Sequence, residues 1–182
     1  YSELCSRLIA AGANPEFRDR EGNNVFDYAA GRGQLELLRF LLSRTHTQDA
    51  HHYQEYAMLI QAAFAGNPAL VPGSDGALAS INRINPEGQA PLHIAAGNGS
   101  VELIKTLIAR GANVNLANSN KQTPLHWAAW NNQVAAADIL LGNGAGMEEA
   151  DLAGNTPLIF AAQNGSAEVS KLLIKKGADR YM

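Results

Sequence analysis

The sequence predicts an all-α solenoid of stacked helix-turn-helix units, and three observations support this class. An Ala-Ala pair recurs every 33 residues, at 29–30, 62–63, 95–96, 128–129 and 161–162. The phrase TPLHWAA at 123–129 returns as TPLIFAA at 156–162. A longer segment, VELIKTLIARGANVN, begins at 101 and has related copies beginning at 2 and 167. A unit this short cannot bury its apolar face alone, so the copies are expected to stack on one another.

The repeated phrase has the chemistry of a helix start. Thr123 suits the N-cap, and Pro124 suits the first helical position, where a missing N–H leaves no bond unmade. Leu125 and Trp127 are expected to face neighbouring units, and the paired alanines allow helices to approach closely. A structural role, in starting a helix and packing it on its neighbours, therefore explains the phrase without any catalytic role.

A second helix follows each phrase after a turn. Gly99 and Gly165 stand where the first helix must stop, and Asn132 replaces the glycine in one unit because asparagine also tolerates positive φ. From Val101 onward apolar residues recur at three- and four-residue spacing, which predicts a buried stripe. The segment GANVN then leads toward turns such as NPEG at 85–88 and DLAG at 151–154.

The period divides the chain, as a single domain of residues 1–182, into six units. They are a partial unit (1–17), a unit (18–50), a degenerate unit (51–84), two regular units (85–117 and 118–150) and a more polar C-terminal capping unit (151–182). In the degenerate unit, DAHHYQEYAMLIQAAFAG at 49–66 predicts one longer helix instead of a turn and a short helix. Pro72, Gly73 and Gly76 then predict a loop or a broken helix. Because the chain begins inside a unit, we expect it to be part of a longer protein.

A period of 33 residues carrying T-P-L-H-x-A resembles the ankyrin repeat family over essentially the whole chain. The resemblance implies an ankyrin-repeat solenoid with β-hairpin or turn connections between units. It also implies that His93 and His126, at one register position, hydrogen-bond backbone across the hairpins instead of serving as bases or metal ligands. Binding in this family uses the hairpin tips and the two residues that follow each Ala-Ala pair, which line a concave groove.

The candidate partner-binding residues follow from that implication. Trp130 is the expected anchor, because tryptophan contributes strongly to interfaces and this position is not needed for stacking; packing on the neighbouring helix is the alternative. The groove positions beside it and the rim positions at the tips are Asn131, Gln163, Asn164, Asn98, Phe64, Arg32, Glu87, Gln89, Asn120, Gln122 and Asn155.

Composition restricts the classes of function and of cellular location that the sequence supports. The chain has 182 residues, 46% hydrophobic and 17% charged, which is enough apolar material for a core. A net charge of −3 argues against nucleic acid as a partner, and no run approaches the roughly 20 apolar residues of a membrane helix. The single cysteine fits a reducing compartment. We therefore expect a cytoplasmic location, with the nucleus or a host cytosol as alternatives.

No catalytic, metal or cofactor motif is recognised. His46, Asp49, His51 and His52 are interpreted as surface residues, since adjacent histidines on a helix point about 100° apart. Cys5 is interpreted as a small buried residue. We therefore predict no enzyme activity, no cofactor and no metal, and a protein or peptide partner in preference to a small molecule. Two alternatives stay open: a recruiting arm of a larger enzyme or intracellular bacterial effector, and the cytoplasmic part of a membrane protein.

Overall fold

A computed structural model describes residues 2–44, 50–73 and 79–179. The side chains of residues 2, 5 and 6 lie outside that description, so the predictions for Cys5, His46, Asp49 and Gly76 fall outside the described residues. Within these ranges the chain forms ten α-helices and one 3-10 turn, Pro68–Leu70. The helices are α1 Ser2–Ala10, α2 Val25–Gly31, α3 Leu35–Ser43, α4 Ala50–Ala65, α5 Pro91–Gly97, α6 Val101–Ala109, α7 Pro124–Trp130, α8 Val134–Gly142, α9 Pro157–Gln163 and α10 Ala167–Lys176.

The helices form two layers, as the repeat predicts. The inner layer consists of α2, α4, α5, α7 and α9, each packed on the next, and the outer layer contains α3, α6, α8 and α10. Each outer helix also packs on the inner helix of its own unit. The predicted all-α solenoid is confirmed.

Small residues make the inner layer close-packed. Ala95, Ala96, Ala128 and Ala129 are completely buried between α5, α7 and their neighbours. Leucines and isoleucines of the outer helices, such as Leu103, are equally buried and complete a single core that runs through the units. Each unit therefore contributes one side of an apolar interface, and the neighbouring unit contributes the other side.

A residue with positive φ ends each inner helix of the described units. Gly99 has φ +70 and Gly165 has φ +68, and Asn132 adopts φ +52 at the equivalent place. Asparagine tolerates this left-handed region better than most residues other than glycine. The expected substitution is therefore confirmed.

The connections between units are turns closed by one backbone bond. The N–H of Asn85 donates to the carbonyl of Gln89 at 2.8 Å, and Asn118 donates to Gln122 at 3.0 Å in the next unit. Asp151 and Asn155 repeat the same bond at 3.0 Å. Among the described residues no strand forms, so the predicted hairpins take the form of these turns.

The degenerate unit replaces its turn and inner helix with the single helix α4. This helix lies between α2 and α5, and the 3-10 turn Pro68–Leu70 follows it, just before the segment for which a loop or a broken helix is predicted. The turn at the tip of the next unit contacts the unit before α4, because Asn85 Nδ2 donates to the carbonyl of Gly31 at 2.9 Å. The array therefore continues through the irregular unit.

A partly buried ionic cluster holds α4 in place. The Arg83 guanidinium pairs with the carboxylate of Asp27 and lies over the rings of Tyr53 and Tyr56, with its carbon 5.2 and 4.9 Å from their centroids. Asn24 donates to the Tyr53 hydroxyl at 3.3 Å. One side chain thus links the unit before α4, α4 itself and the segment after it.

We predict that Arg83→Ala lowers the free energy of unfolding by about 2 kcal/mol, because it leaves the buried Asp27 carboxylate without its main counter-charge. Denaturant unfolding monitored by circular dichroism measures the change. Arg39→Ala is the matched control: its pair with Glu36 is exposed, so its loss should change stability by less than about 0.5 kcal/mol. Equal effects of the two changes would contradict the assignment.

Candidate partner-binding groove

An apolar pocket opens on the inner layer beside α7. It has a volume of about 420 Å³ and is lined by Gln122, Trp127, Trp130, Asn131 and Phe160. Trp130 is 43% exposed, and its ring meets that of Phe160 edge to face, with centroids 5.7 Å apart. The pocket therefore has an accessible aromatic wall.

The helical period explains why these side chains meet. Trp127, Trp130 and Asn131 lie three and four residues apart on α7, so they share one face of the helix. Phe160 occupies in α9 the register position that Trp127 occupies in α7. The next helix thus brings its own aromatic ring against the same opening.

A second pocket adjoins the first. Its volume is about 200 Å³, and it shares Trp127 and Asn131 with the first pocket. Its other lining residues come from α4, α5 and the tip before α5; they are Phe64, Gln89, Ile94, Gly97 and Asn98. A Cβ atom at Gly97 would lie 3.4 Å from the Trp127 ring and 3.3 Å from Asn131 Nδ2, so the missing side chain keeps this pocket open.

Five lining positions of the second pocket recur one unit along in the first pocket. Adding 33 to the positions of Gln89, Ile94 and Gly97 gives Gln122, Trp127 and Trp130. Asn98 and Trp127 likewise become Asn131 and Phe160. We refer to the two pockets together as the groove.

The carboxamides of the groove are each half engaged by the protein. Gln89 and Gln122 accept through Oε1 from Asn85 and Asn118, at 3.3 and 3.2 Å. The Nδ2 of Asn98 donates to the Ala63 carbonyl at 3.4 Å, and that of Asn131 donates to Trp127 at 3.0 Å. Each side chain is thereby held in place while one polar atom has no hydrogen-bond partner among the described residues.

Six of the predicted site residues line the groove: Trp130, Asn131, Gln122, Phe64, Gln89 and Asn98. The other six make contacts within the protein. Arg32 and Glu87 form an ion pair at 2.6 Å, and Gln163 donates to Asn155 at 3.1 Å. Asn164 donates to the carbonyl of Trp130, and the carbonyl of Asn120 accepts from Leu152 at 3.0 Å. A role of any of the twelve in binding stays a prediction.

The predicted site residues lack four that line the groove: Trp127, Phe160, Ile94 and Gly97. Trp127 was assigned to packing between units, but its ring is only partly buried and lines both pockets. Its buried Nε1 has no acceptor among the described residues. The available signal was the three-residue spacing from Trp127 to Trp130 and from Phe160 to Gln163, which places each pair on one helix face.

The two buried histidines act as connectors between units. The backbone N–H of Thr123 donates to Nδ1 of His126 at 3.1 Å, so the ring proton is on Nε2, which donates to the Asn155 carbonyl at 3.1 Å. His93 makes the same contacts to Ala90 and Gln122, at 3.3 and 3.0 Å. The geometry agrees with the role that the resemblance implied.

Burial keeps these imidazoles neutral. It lowers the pKa of His93 from 6.5 to about 4, against the opposing effect of the bond to Gln122. It also lowers the pKa of His126. In the neutral ring one nitrogen accepts and the other donates, as both connections require.

Other kinds of site are not found in the described ranges. No group of three or more metal-ligating side chains comes together there. Nor is any helix in those ranges long and apolar enough to cross a membrane.

A comparison with protein families decides the family. A model of ankyrin repeats in three copies matches residues 59–151, and a single ankyrin repeat matches 153–182. The chain belongs to the ankyrin-repeat family. Ankyrin repeats are protein-interaction modules, and the family match therefore supports interaction as the general role.

Two ankyrin-repeat relatives show the extent of the similarity. The chain is 28% identical over 108 residues to the NF-kappa-B inhibitor cactus of Drosophila melanogaster, covering 58% of this chain and 20% of that protein. It is 29% identical over 113 residues to the protein VAPYRIN-LIKE of Medicago truncatula, covering 60% of this chain and 24% of that protein. The chain thus spans about a fifth to a quarter of the length of these relatives.

We predict that stability falls as the pH is lowered from about 6.5 to about 4. The unfolded chain takes up a proton near the ordinary histidine pKa while folded His93 stays neutral, so the unfolded state binds more protons in this window. The slope from one such group approaches about 1.4 kcal/mol per pH unit. Denaturant unfolding at several pH values measures it.

His93→Gln is the comparison for this prediction. Glutamine does not titrate, so the variant should be less stable at neutral pH but should show a shallower slope between pH values of about 4 and 6.5. Carboxylates make the same contribution to the pH dependence of stability in wild type and in His93→Gln, so this contribution cancels when the two slopes are subtracted. An unchanged slope would show that His93 is not the titrating group.

Proposed function

We propose that the chain is a non-catalytic interaction module that binds a protein partner through the groove, with the turn tips as its rim. The observation that supports this most directly is the coincidence of two adjoining pockets with the positions where the repeat is free to vary. Six of the residues that the resemblance to the ankyrin-repeat family implied for binding line them. Such a surface is held rigid by stacked helices, so little conformational entropy is lost on binding.

Trp130 is the proposed anchor. Its ring is 43% exposed while packing against Phe160, so a partner can cover apolar area that the protein itself leaves in water. Buried tryptophans at the centre of an interface contribute a large share of binding energy. Phe64, 53% exposed at the far side of the groove, offers a second contact of the same kind.

The proposed partner is a protein or peptide, and nucleic acid is not favoured. Neither pocket contains a lysine or arginine among its lining residues, and the net charge is −3. A cytoplasmic setting stays a prediction that rests on the single cysteine.

A second candidate is the recruiting arm of a larger enzyme or effector. The matched relatives are four to five times longer than the part they share with this chain, so ankyrin repeats of this kind occur within longer proteins. The groove would bind in the same way, and the catalytic step would belong to another domain. A full-length sequence with a recognisable catalytic domain distinguishes this candidate from a pure interaction protein.

We predict that Trp130→Ala weakens capture of the partner by about tenfold or more, through loss of the exposed aromatic wall. The measurement is quantitative mass spectrometry of proteins retained from a lysate, followed by a binding titration with the partner it identifies. Both proteins must show the same helical circular dichroism.

Val134→Ala is the matched control, because Val134 is 38% exposed on the outer helix α8 and lines neither pocket. It should leave capture unchanged. A partner retained equally by wild type and Trp130→Ala would exclude the groove as the binding site. Attention would then turn to the cluster around Arg83.

A further inference from the structure

We propose that the groove binds an uncharged segment in the polyproline II conformation, with bulky apolar side chains three residues apart in the two pockets. This inference rests on the proposed function and names the class of its partner. Four properties of the groove support it: its neutrality, its unpaired carboxamide atoms, its repeat distance and its aromatic wall.

The first property is that the groove carries no charge. The ten residues that line the two pockets are aromatic, aliphatic, glycine or carboxamide, and none is ionisable. A charged side chain covered here would find no counter-charge among the lining residues. The groove therefore favours an uncharged segment of the partner across α5 and α7.

The carboxamides favour a peptide backbone. Gln89 and Gln122 each present an Nε2 that donates to nothing among the described residues, whereas Asn98 and Asn131 each present such an Oδ1. Asn131 lines both pockets, so each pocket includes one such donor and at least one such acceptor, the complement of a peptide C=O and N–H. A polyproline II segment makes no internal hydrogen bonds, so its C=O groups and any N–H it retains stay exposed for such contacts.

The repeat distance agrees with the polyproline II conformation. The pockets are related by one unit, and the inner helices that carry them pack side by side, which places helix axes about 8–10 Å apart. Three residues of polyproline II advance about 9.3 Å and return to the same face. A β-strand repeats its face every two residues, or about 6.6 Å, and fits this spacing poorly.

The aromatic wall agrees with the same conformation. Trp127 forms a wall of both pockets, with Phe64 on one side and Phe160 on the other. Proline-rich segments bind in aromatic-lined grooves because they are already ordered and present flat apolar rings. The Trp127 ring is thus placed to contact side chains in both pockets.

The experiment is selection of displayed random peptides of about 12 residues on the whole chain, a length that spans the groove with flanks on both sides. The expected outcome is enrichment of uncharged sequences that contain proline and apolar residues three apart. Enriched peptides should show a polyproline II circular dichroism signature. Their affinity should change less than about twofold between about 50 and 500 mM salt, since no ion pair forms.

A matched pair of glycine changes localises the binding. Gly97→Gln fills the second pocket and should weaken an enriched peptide by about tenfold. The backbone accepts this side chain, because Gln163 already occupies the same register position. Gly142→Gln also changes the last residue of a helix, but a Cβ there meets nothing within 4 Å, so peptide affinity should not change.

Several results would overturn the proposal. The selection could enrich charged sequences, apolar residues at two- or four-residue spacing, or no sequence at all. Self-association of the chain that is lost in Trp130→Ala would also overturn it. Failure of the proposed function is distinguishable. In that case the captured partner or the selected peptides bind wild type, Trp130→Ala and Gly97→Gln equally, whereas a groove-dependent partner of another conformation refutes only this inference.

Discussion

Close approach of the inner helices is the constraint on which the rest of the structure depends. The alanine pairs at 95–96 and 128–129 are completely buried, and a larger side chain at these positions would push α5 and α7 apart. Because each seam is shared by two units, no unit has an apolar core of its own. The spacing set by these alanines then recurs in every feature that repeats along the array.

The histidine connections and the groove both inherit that spacing. His93 reaches the tip at Gln122, and His126 reaches the tip at Asn155, because successive units lie at the same distance. Each tip is therefore fixed by the helix of the preceding unit, and Gln122 is in turn positioned at the edge of a pocket. The same relation makes two pockets with equivalent walls, so the binding surface has the period of the core.

The sequence predicts what is periodic. Register locates the helix starts and the left-handed Asn132. The resemblance to the ankyrin-repeat family is also needed to select the six groove residues. The sequence pattern assigns Trp127 only to packing between units. Its large ring packs on α5 and also lines both pockets of the groove. The Arg83 cluster is beyond such reasoning, because Asp27 and Arg83 come together only where α4 has replaced a turn.

The irregular unit also explains where the neutral groove ends. Gly31 has the register position of Gly97 and Trp130, but the tip at 85–89 folds back onto it, and a Cβ there would lie 2.8 Å from that of Asn85. No side chain at this position can therefore continue the aromatic wall beyond Phe64. The exposed ion pair between Arg32 and Glu87 places charge at the same end. The loss of one turn thus ends the uncharged surface on the α4 side of the two pockets.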